Sequence, residues 1–452
     1  MDLNKLKKVY CIGIKGSGVA AIAEILKNKG IEVSGSDIEE KFFTDEVLKR
    51  NNIPYEENFS ASNVPDDAGL VIYSTAYNEK NNPEVAEAKR KNIPITSYPE
   101  ALGELFREKF GIAVCGTHGK TTTTAMLAES LRVAGAEPGA IVGSQVIQWQ
   151  GSSLAGDGKY FVAEADEYQN KFQYYNPLAV ILTSVDWDHP DYFSTFEEYK
   201  KTFKDFVSKI PKHGFLIYCG DDADASEVAK SAGCETLSYG FGEENDYRIT
   251  DKLELLYKNK KLGMIEIQAP GKHNVLNAVA ATAVCYKLGM DLKKVREALK
   301  TFQGTSRRFE YIGKKNGAIL IDDYAHHPEE IKATLKAARK VYAHKNIWTI
   351  FHPHTFTRTK ALLQEFAQSF DNADNVIVID IYGSAREEQG GVSSKDLVDL
   401  INKYNPGRAE YIPTIDETVE FLKDKIGNND VVISMGAGDV WKVTDKLKDN
   451  SK

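Results

Sequence analysis

Short apolar runs recur along the chain, each ending in glycine or acidic residues and leading into a segment of helical periodicity. VYCIGI (9–14) enters a Gly-rich turn, and AAIAEILKNKG (20–30) follows with apolar positions three and four apart and a glycine stop. IEVSGSD (31–37), LVIYSTA (70–76) and IPITSYP (93–99) read as further strands, with a helix through EVAEAKRKN (84–92). A second start comes at FGIAVCGTHGKTTTTAMLAESLRVAG (110–135), again strand, Gly-rich loop and helix. KYFVAEAD (159–166), LAVILTSVDWDH (178–189) and FLIYCGDD (215–222) are strands ending in acids, residues 240–268 alternate like a small antiparallel patch, and APGKHNVLNAVAATAVCYKLG (269–289) opens a helix. A third unit begins near 313, with strands in GAILIDD, NIWTIF, NVIVID and DVVISM. Strands alternating with helices predict parallel βαβ units. The expected fold class is therefore α/β, with three domains at 1–107, 108–312 and 313–452, each a mostly parallel sheet with flanking helices.

The length of 452 residues agrees with this division, at roughly 150 residues per domain. A formal net charge of -8 removes any overall basic footprint for nucleic acid or anionic lipid. No apolar run reaches the roughly 18 residues of a membrane span, and the opening run is too short for a signal peptide. The five cysteines are scattered, odd in number and without a C-x-x-C pair, as expected of reduced thiols in a cytoplasmic protein.

In open parallel sheets ligands bind beyond the carboxyl ends of the strands, and the unusual residues of this chain gather there. Gly116-Thr117-His118-Gly119-Lys120-Thr121-Thr122 follows an apolar strand and opens a helix. Its glycines let backbone wrap an anion, the helix start offers unpaired N–H groups, Lys120 can reach phosphates and Thr121 can hold Mg²⁺. Only two residues separate its glycines, fewer than in G-x-x-x-x-G-K-[ST]. Gly13, Gly16, Ser17 and Gly18 form a second such turn, spaced G-x-x-G-x-G, with Asp37 ending the next strand about 20 residues on, an arrangement suited to a diphosphate and a ribose or base. Lys15 reads as an extra charge near that diphosphate or as a solvated side chain. Glu164, Asp166 and Glu167 end one strand and Asp186, Asp188 and His189 the next, a donor set for Mg²⁺ beside ATP or a group of caps and solvated residues. Asn274 and Asn277 share a helix face near Lys272 and His273. Arg307, Arg308, Asp322, Asp323, Tyr324, His326 and His327 form a polar group, in which zinc is disfavoured because no partner lies at ligand spacing. His352, His354 and Arg358 make an anion-binding loop suited to a carboxylate.

Taken together, IGIKGSG, VSGSD, GTHGKTTTT, EADEY, DWDHPDYF, GKHNVLNAVAA, SRRFE, DDYAHHPEE, FHPHTFTRTK and MGAGDVW resemble the Mur ligase family over almost the whole chain. The resemblance implies a Rossmann-like N-terminal domain holding a UDP-sugar, a P-loop-type ATPase core and a Rossmann-like C-terminal domain that closes and brings the amino acid. It implies ATP and Mg²⁺ as cofactors, and UDP-N-acetylmuramate and L-alanine as substrates joined through an acyl phosphate. Gly13, Gly16, Gly18, Asp37 and Ser74–Ala76 would line the UDP-sugar site. Lys120 would bind phosphates, Thr121 one metal ion, and Glu164 and His189 a second. Asn274 and Asn277 would face the nucleotide, with Arg308, Asp323 and His326 also on ATP, and Tyr324, His354 and Arg358 on the amino acid. Two residues depart from the family pattern: Lys15 stands at a usual glycine and Cys115 at a usual small residue. Ligation of a preformed peptide, and a nucleotide-regulated binding protein without turnover, are the competing readings. No nucleic acid and no membrane insertion are expected, and the oligomer is expected to be a monomer or homodimer.

Overall fold

In the computed structural model, which describes residues 6–190, 192–383, 387 and 389–449, the apolar runs become strands of three sheets. Asp191 of the DWDHPDYF motif lies outside the described residues. The chain divides into two compact units. The first holds the residues up to Val185, then Lys200–Ile267 and Leu276–Gln303; the second holds Asp186–Tyr199, Gln268–Val275 and the chain from Gly304.

The first sheet has the spatial order Tyr55–Glu56, Glu32–Ser36, Lys8–Ile12, Leu70–Tyr73, Ile95–Ser97, with every pair parallel. Its order reverses between Lys8–Ile12 and Leu70–Tyr73, and such a switch point opens a crevice beyond the strand ends. The helix Ser17–Asn28 buries Val19, Ala20, Ile22, Ala23, Ile25 and Leu26. It stops where Gly30 takes a φ of 81°, a left-handed conformation cheap only for glycine.

The same unit carries a ten-stranded sheet, ordered Lys260–Met264, Glu254–Tyr257, Tyr247–Ile249, Glu235–Gly240, Phe215–Cys219, Ala179–Leu182, Phe110–Cys115, Tyr160–Glu164, Gly139–Val146, Gly151–Ala155. Its middle is parallel. Tyr247–Ile249, Glu254–Tyr257 and Lys260–Met264 form the expected antiparallel patch. The hairpin Gly139–Val146/Gly151–Ala155 has no counterpart in the sequence reading, because glycine and serine interrupt its apolar alternation. The helix Ser17–Asn28 packs against this hairpin. Its Glu24 accepts hydrogen bonds from the Ser153 hydroxyl and from Asn51 Nδ2, the latter at 3.0 Å, which ties the two sheets into one unit.

The second unit is built on the order Glu310–Lys315, Ala318–Asp323, Asp430–Met435, Asn346–Phe351, Asn375–Val378, Ala409–Tyr411. All pairs are parallel except the first. Glu310–Lys315 begins ahead of the border expected at 313. It belongs to this sheet because Asn316 (φ 49°) and Gly317 (φ 84°) turn it back antiparallel onto Ala318–Asp323. Successive residues face opposite sides: Ile321 packs with Leu335, Phe351 and Phe366, and Leu320 with Ile350, Leu422 and Val443. Both faces are thus covered, as a parallel sheet requires.

All five cysteines are unpaired, and four are buried. Burial pushes the Cys11 thiol up to about 12. Among the described residues no helix is long and apolar enough to cross a membrane.

Candidate active site

At the switch point of the first sheet, Gly13 (φ 76°) turns the chain immediately after Ile12. The amides of Gly13 and Ile14 donate to the Ser36 carbonyl at 2.9 and 3.0 Å. A Cβ at Gly13 would stand 2.9 Å from Ser74 Cβ and 2.8 Å from the Tyr77 ring, so only glycine lets these strand ends approach. Gly16 precedes the helix without a side-chain cap, and Ser17 and Gly18 form its first turn, leaving an uncapped helix N-terminus of the kind that binds anions. The Ser74 amide donates to the Ile12 carbonyl at 2.9 Å, and the Ala76 amide to Ser74 Oγ at 3.4 Å. Asp37 accepts from the amides of Lys15 (2.6 Å) and Ile38 (2.8 Å); burial raises its carboxyl pKa. The structure therefore gathers Gly13, Gly16, Ser17, Gly18, Asp37, Ser74 and Ala76 at one sheet edge.

The Lys15 side chain departs from the solvated reading. It is 2% exposed. Its Nζ donates to the carbonyls of Ile38 (2.9 Å) and Glu40 (3.1 Å) and pairs with Glu57 (2.8 Å) and Asp45 (3.3 Å). It is not solvated: it braces the loop after the second strand.

In the large sheet the loop Gly116–Thr122 follows the central strand Phe110–Cys115, between the ends of Tyr160–Glu164 and Ala179–Leu182. Gly116 (φ 128°) lies so close to Thr183 that a Cβ would collide with its hydroxyl. Gly119 (φ 78°) has the Asn277 amide oxygen 2.6 Å from where its Cβ would be. The neighbouring strand end tethers the loop: the Thr117 amide donates to the Ser184 carbonyl (3.0 Å), the His118 amide to Ser184 Oγ (3.1 Å), and Thr183 Oγ1 to the His118 carbonyl (2.5 Å). Lys120 Nζ donates to the carbonyls of Gly116 (2.6 Å) and Thr117 (3.1 Å) and reaches Glu167 at 3.3 Å. Thr121 Oγ1 donates to Glu164 (2.9 Å), and the same carboxylate oxygen accepts from the Gly143 amide (3.0 Å). Thr122 is buried in the first turn of the helix Lys120–Val133. A threonine hydroxyl beside a carboxylate is an oxygen donor set that suits Mg²⁺. Asp166 pairs with Lys171; burial would raise its pKa, but Lys171 and Lys120 outweigh it and hold the carboxyl below its ordinary value. Asn274 and Asn277 are buried on the helix Lys272–Lys287, where Asn274 Nδ2 donates to the Pro270 carbonyl at 2.8 Å.

In the second unit the strand ends gather the remaining residues. Asp323 is buried and accepts from the amides of Phe309 (2.7 Å) and Ala325 (2.8 Å). Burial lifts its carboxyl to about 6, against the opposing charge of Arg308. Arg308 and Arg307 each lie 5.0 Å from the centre of the Tyr324 ring, a cation–π arrangement. Arg307 is structural, bonded to Asp322 (2.9 Å) and the Gly436 carbonyl (2.6 Å). His326 Nδ1 lies 3.0 Å from the Tyr324 carbonyl, and His327 caps the helix Pro328–Val341. Arg358, expected to await a carboxylate, already holds one: its Nε and Nη2 donate to Asp188 Oδ1 at 3.0 and 2.7 Å. Burial alone would raise the Asp188 pKa; Arg358 and the imidazoles of His189, His326 and His327 reverse this and hold it well below the carboxylate range. His189 belongs to this unit and holds a left-handed φ of 54°. Burial drives His354 down to about 3 and His352 to about 4, so both are neutral near pH 7. Tyr382, which the sequence reading missed, stacks on His354 at 5.6 Å and meets His352 edge-on at 5.3 Å. Its strand-end position in NVIVIDIYG was the only available signal.

Two outcomes follow. Lys15→Met should lower stability by about 2 kcal/mol by leaving the carbonyls of Ile38 and Glu40 without their charged donor, read as a fall in the urea midpoint, with nucleotide-sugar binding by the folded protein retained. The folded pKa of Asp323 lies above its ordinary 3.8, so its contribution to stability is complete below that value and is lost as pH rises to about 6. The stability difference between wild type and Asp323→Asn, measured by denaturant unfolding at several pH values, should fall across that window and level off above it.

Three family models match in succession: Mur ligase family, catalytic domain over residues 8–110, Mur ligase middle domain over 114–285, and Mur ligase, glutamate ligase domain over 307–438. The chain is 41% identical to a UDP-N-acetylmuramate–L-alanine ligase of Desulfitobacterium hafniense, covering 97% of this chain and 99% of that one. It is 40% identical to the ligase of the same name from Caldanaerobacter subterraneus, covering 100% and 99%. Among solved structures it matches the UDP-N-acetylmuramate–alanine ligase of Thermotoga maritima with a TM-score of 0.81 at 28% identity, covering 97% of this chain and 98% of that one. The murein peptide ligase of Psychrobacter arcticus follows at 0.72 and 25%, covering 99% and 100%. With all three domains matched in order along its length, the chain belongs to the Mur ligase family.

Proposed function

We propose that the protein joins L-alanine to the lactyl carboxylate of UDP-N-acetylmuramate, converting ATP to ADP and phosphate in the cytoplasm. The observation that carries this is the Gly116–Thr122 loop, whose lysine and threonine stand beside Glu164 and Glu167, in a chain 41% identical over its length to a ligase of that name.

The chemistry proceeds in two steps. The lactyl carboxylate attacks the γ-phosphorus of ATP, forming an acyl phosphate and releasing ADP. The neutral amine of alanine then attacks the acyl carbon, and phosphate leaves from the tetrahedral intermediate. Lys120 carries the charge that develops on the transferring phosphoryl group, and the loop amides orient it. Thr121 and Glu164 would hold Mg²⁺, which when bound neutralises phosphate charge. Gly13, Gly16, Gly18, Asp37 and Ser74 bind the UDP moiety, and Asn274 and Asn277, with Arg308, Asp323 and His326, bind ATP. Tyr324, His354 and Arg358 take the amino acid. His354 is neutral near pH 7, so it adds no charge to repel the ammonium group with which alanine arrives.

Purified protein given ATP, Mg²⁺, UDP-N-acetylmuramate and a panel of amino acids and one tripeptide should form ADP and a product heavier by one alanine residue. A product carrying only the tripeptide would support the peptide-ligase reading, and no amine-dependent ADP would mean a binding protein. Lys120→Ala should lower turnover by about a thousandfold or more, with UDP-sugar binding intact by calorimetry; wild-type turnover in that variant would remove Lys120 from the mechanism.

A further inference from the structure

Arg358 and Asp188 are 4% and 7% exposed. Asp188 Oδ1 accepts from Arg358 Nε (3.0 Å), from Arg358 Nη2 (2.7 Å) and from the backbone amide of His189 (2.7 Å). The three donors converge on one oxygen, so the Nε/Nη2 edge of the guanidinium is turned toward Asp188. The backbone on both sides is strained. His189 holds a φ of 54° and Thr355 a φ of 68°, unusual for residues with side chains and most unusual for a β-branched one. Thr355 Oγ1 accepts from the Arg358 amide at 3.3 Å, so the strained residue also seats the arginine. A buried ion pair adds little stability compared with an apolar pair of the same volume. Two strained residues around one such pair point to a role in holding geometry.

We propose that Asp188 is a positioning residue for the amino acid, fixing the orientation of Arg358 so that its guanidinium meets the α-carboxylate of the incoming alanine. The inference rests on the ligase reading, which gives Arg358 that carboxylate. A guanidinium has more than one donor edge. Asp188 occupies the Nε/Nη2 edge, and Nη1 is directed toward His354 Nδ1 at 3.5 Å, another residue of the proposed amino-acid site. Held this way, the arginine gains no rotational freedom that binding must then remove.

The test uses the full-length protein with Asp188→Asn and Asp188→Glu. Asp188→Asn keeps the shape but loses the charge; Asp188→Glu keeps the charge but displaces the guanidinium. Both should raise KM for L-alanine by roughly tenfold or more, with KM for ATP and for UDP-N-acetylmuramate unchanged. Both should also narrow the preference for L-alanine over L-alaninamide, which lacks the carboxylate. Asp188→Glu keeps the buried arginine paired with a charge, so it decides the matter if Asp188→Asn fails to fold. A wild-type alanine KM in Asp188→Glu, or a parallel rise in all three KM values, would overturn the positioning role. Absence of alanine-dependent ADP formation by the wild-type protein would instead sink the ligase reading itself.

Discussion

The Lys120 ammonium inside the Gly116–Thr122 turn is the constraint on which the rest of the site depends. A cation withdrawn from water needs compensation worth several kcal/mol. Here it comes from two loop carbonyls and from Glu167, whose side chain is fully buried. To bring those carbonyls round the lysine the loop must turn sharply, which places glycine at 116 and 119. The turn is then anchored to the adjacent strand end through Thr183 and Ser184. The neighbouring strand presents Glu164 to Thr121. Phosphate oxygens are natural partners for the same lysine, and its contacts within the loop hold it at the place where nucleotide binding uses it.

Much of the fold was legible because parallel sheets buried on both faces write themselves as apolar runs followed by turn residues. The three starts at VYCIGI, FGIAVC and GAILID each became an interior strand of a different sheet. Elements with weaker signals escaped. The Gly139–Val146/Gly151–Ala155 hairpin is broken by glycine and serine, and the Glu310–Lys315 strand is drawn into its sheet by the turn at Asn316–Gly317 rather than by its own apolar content.

The site was legible as residue types and positions, less so as partnerships. Lys15 and Arg358 read as charges open to a ligand, and Arg307 as one member of a polar group. The structure gives each a buried or half-buried counter-charge: Glu57 and Asp45, Asp322, and Asp188. Those partners lie between 15 and 170 residues away in the chain, and spacing along a sequence carries no information about such pairs. Asp323 shows the converse. Its position at a strand end was readable, but its raised pKa depends on burial that only the folded chain reveals.

The central claim is that phosphate is loaded onto the sugar acid before the amide forms. UDP-N-acetylmuramate labelled with ¹⁸O in its lactyl carboxylate tests this directly. After complete reaction with ATP, Mg²⁺ and L-alanine, one labelled oxygen should appear in the released inorganic phosphate, detected by mass spectrometry. Phosphate free of label, with the alanyl product formed in full, would contradict an acyl-phosphate route.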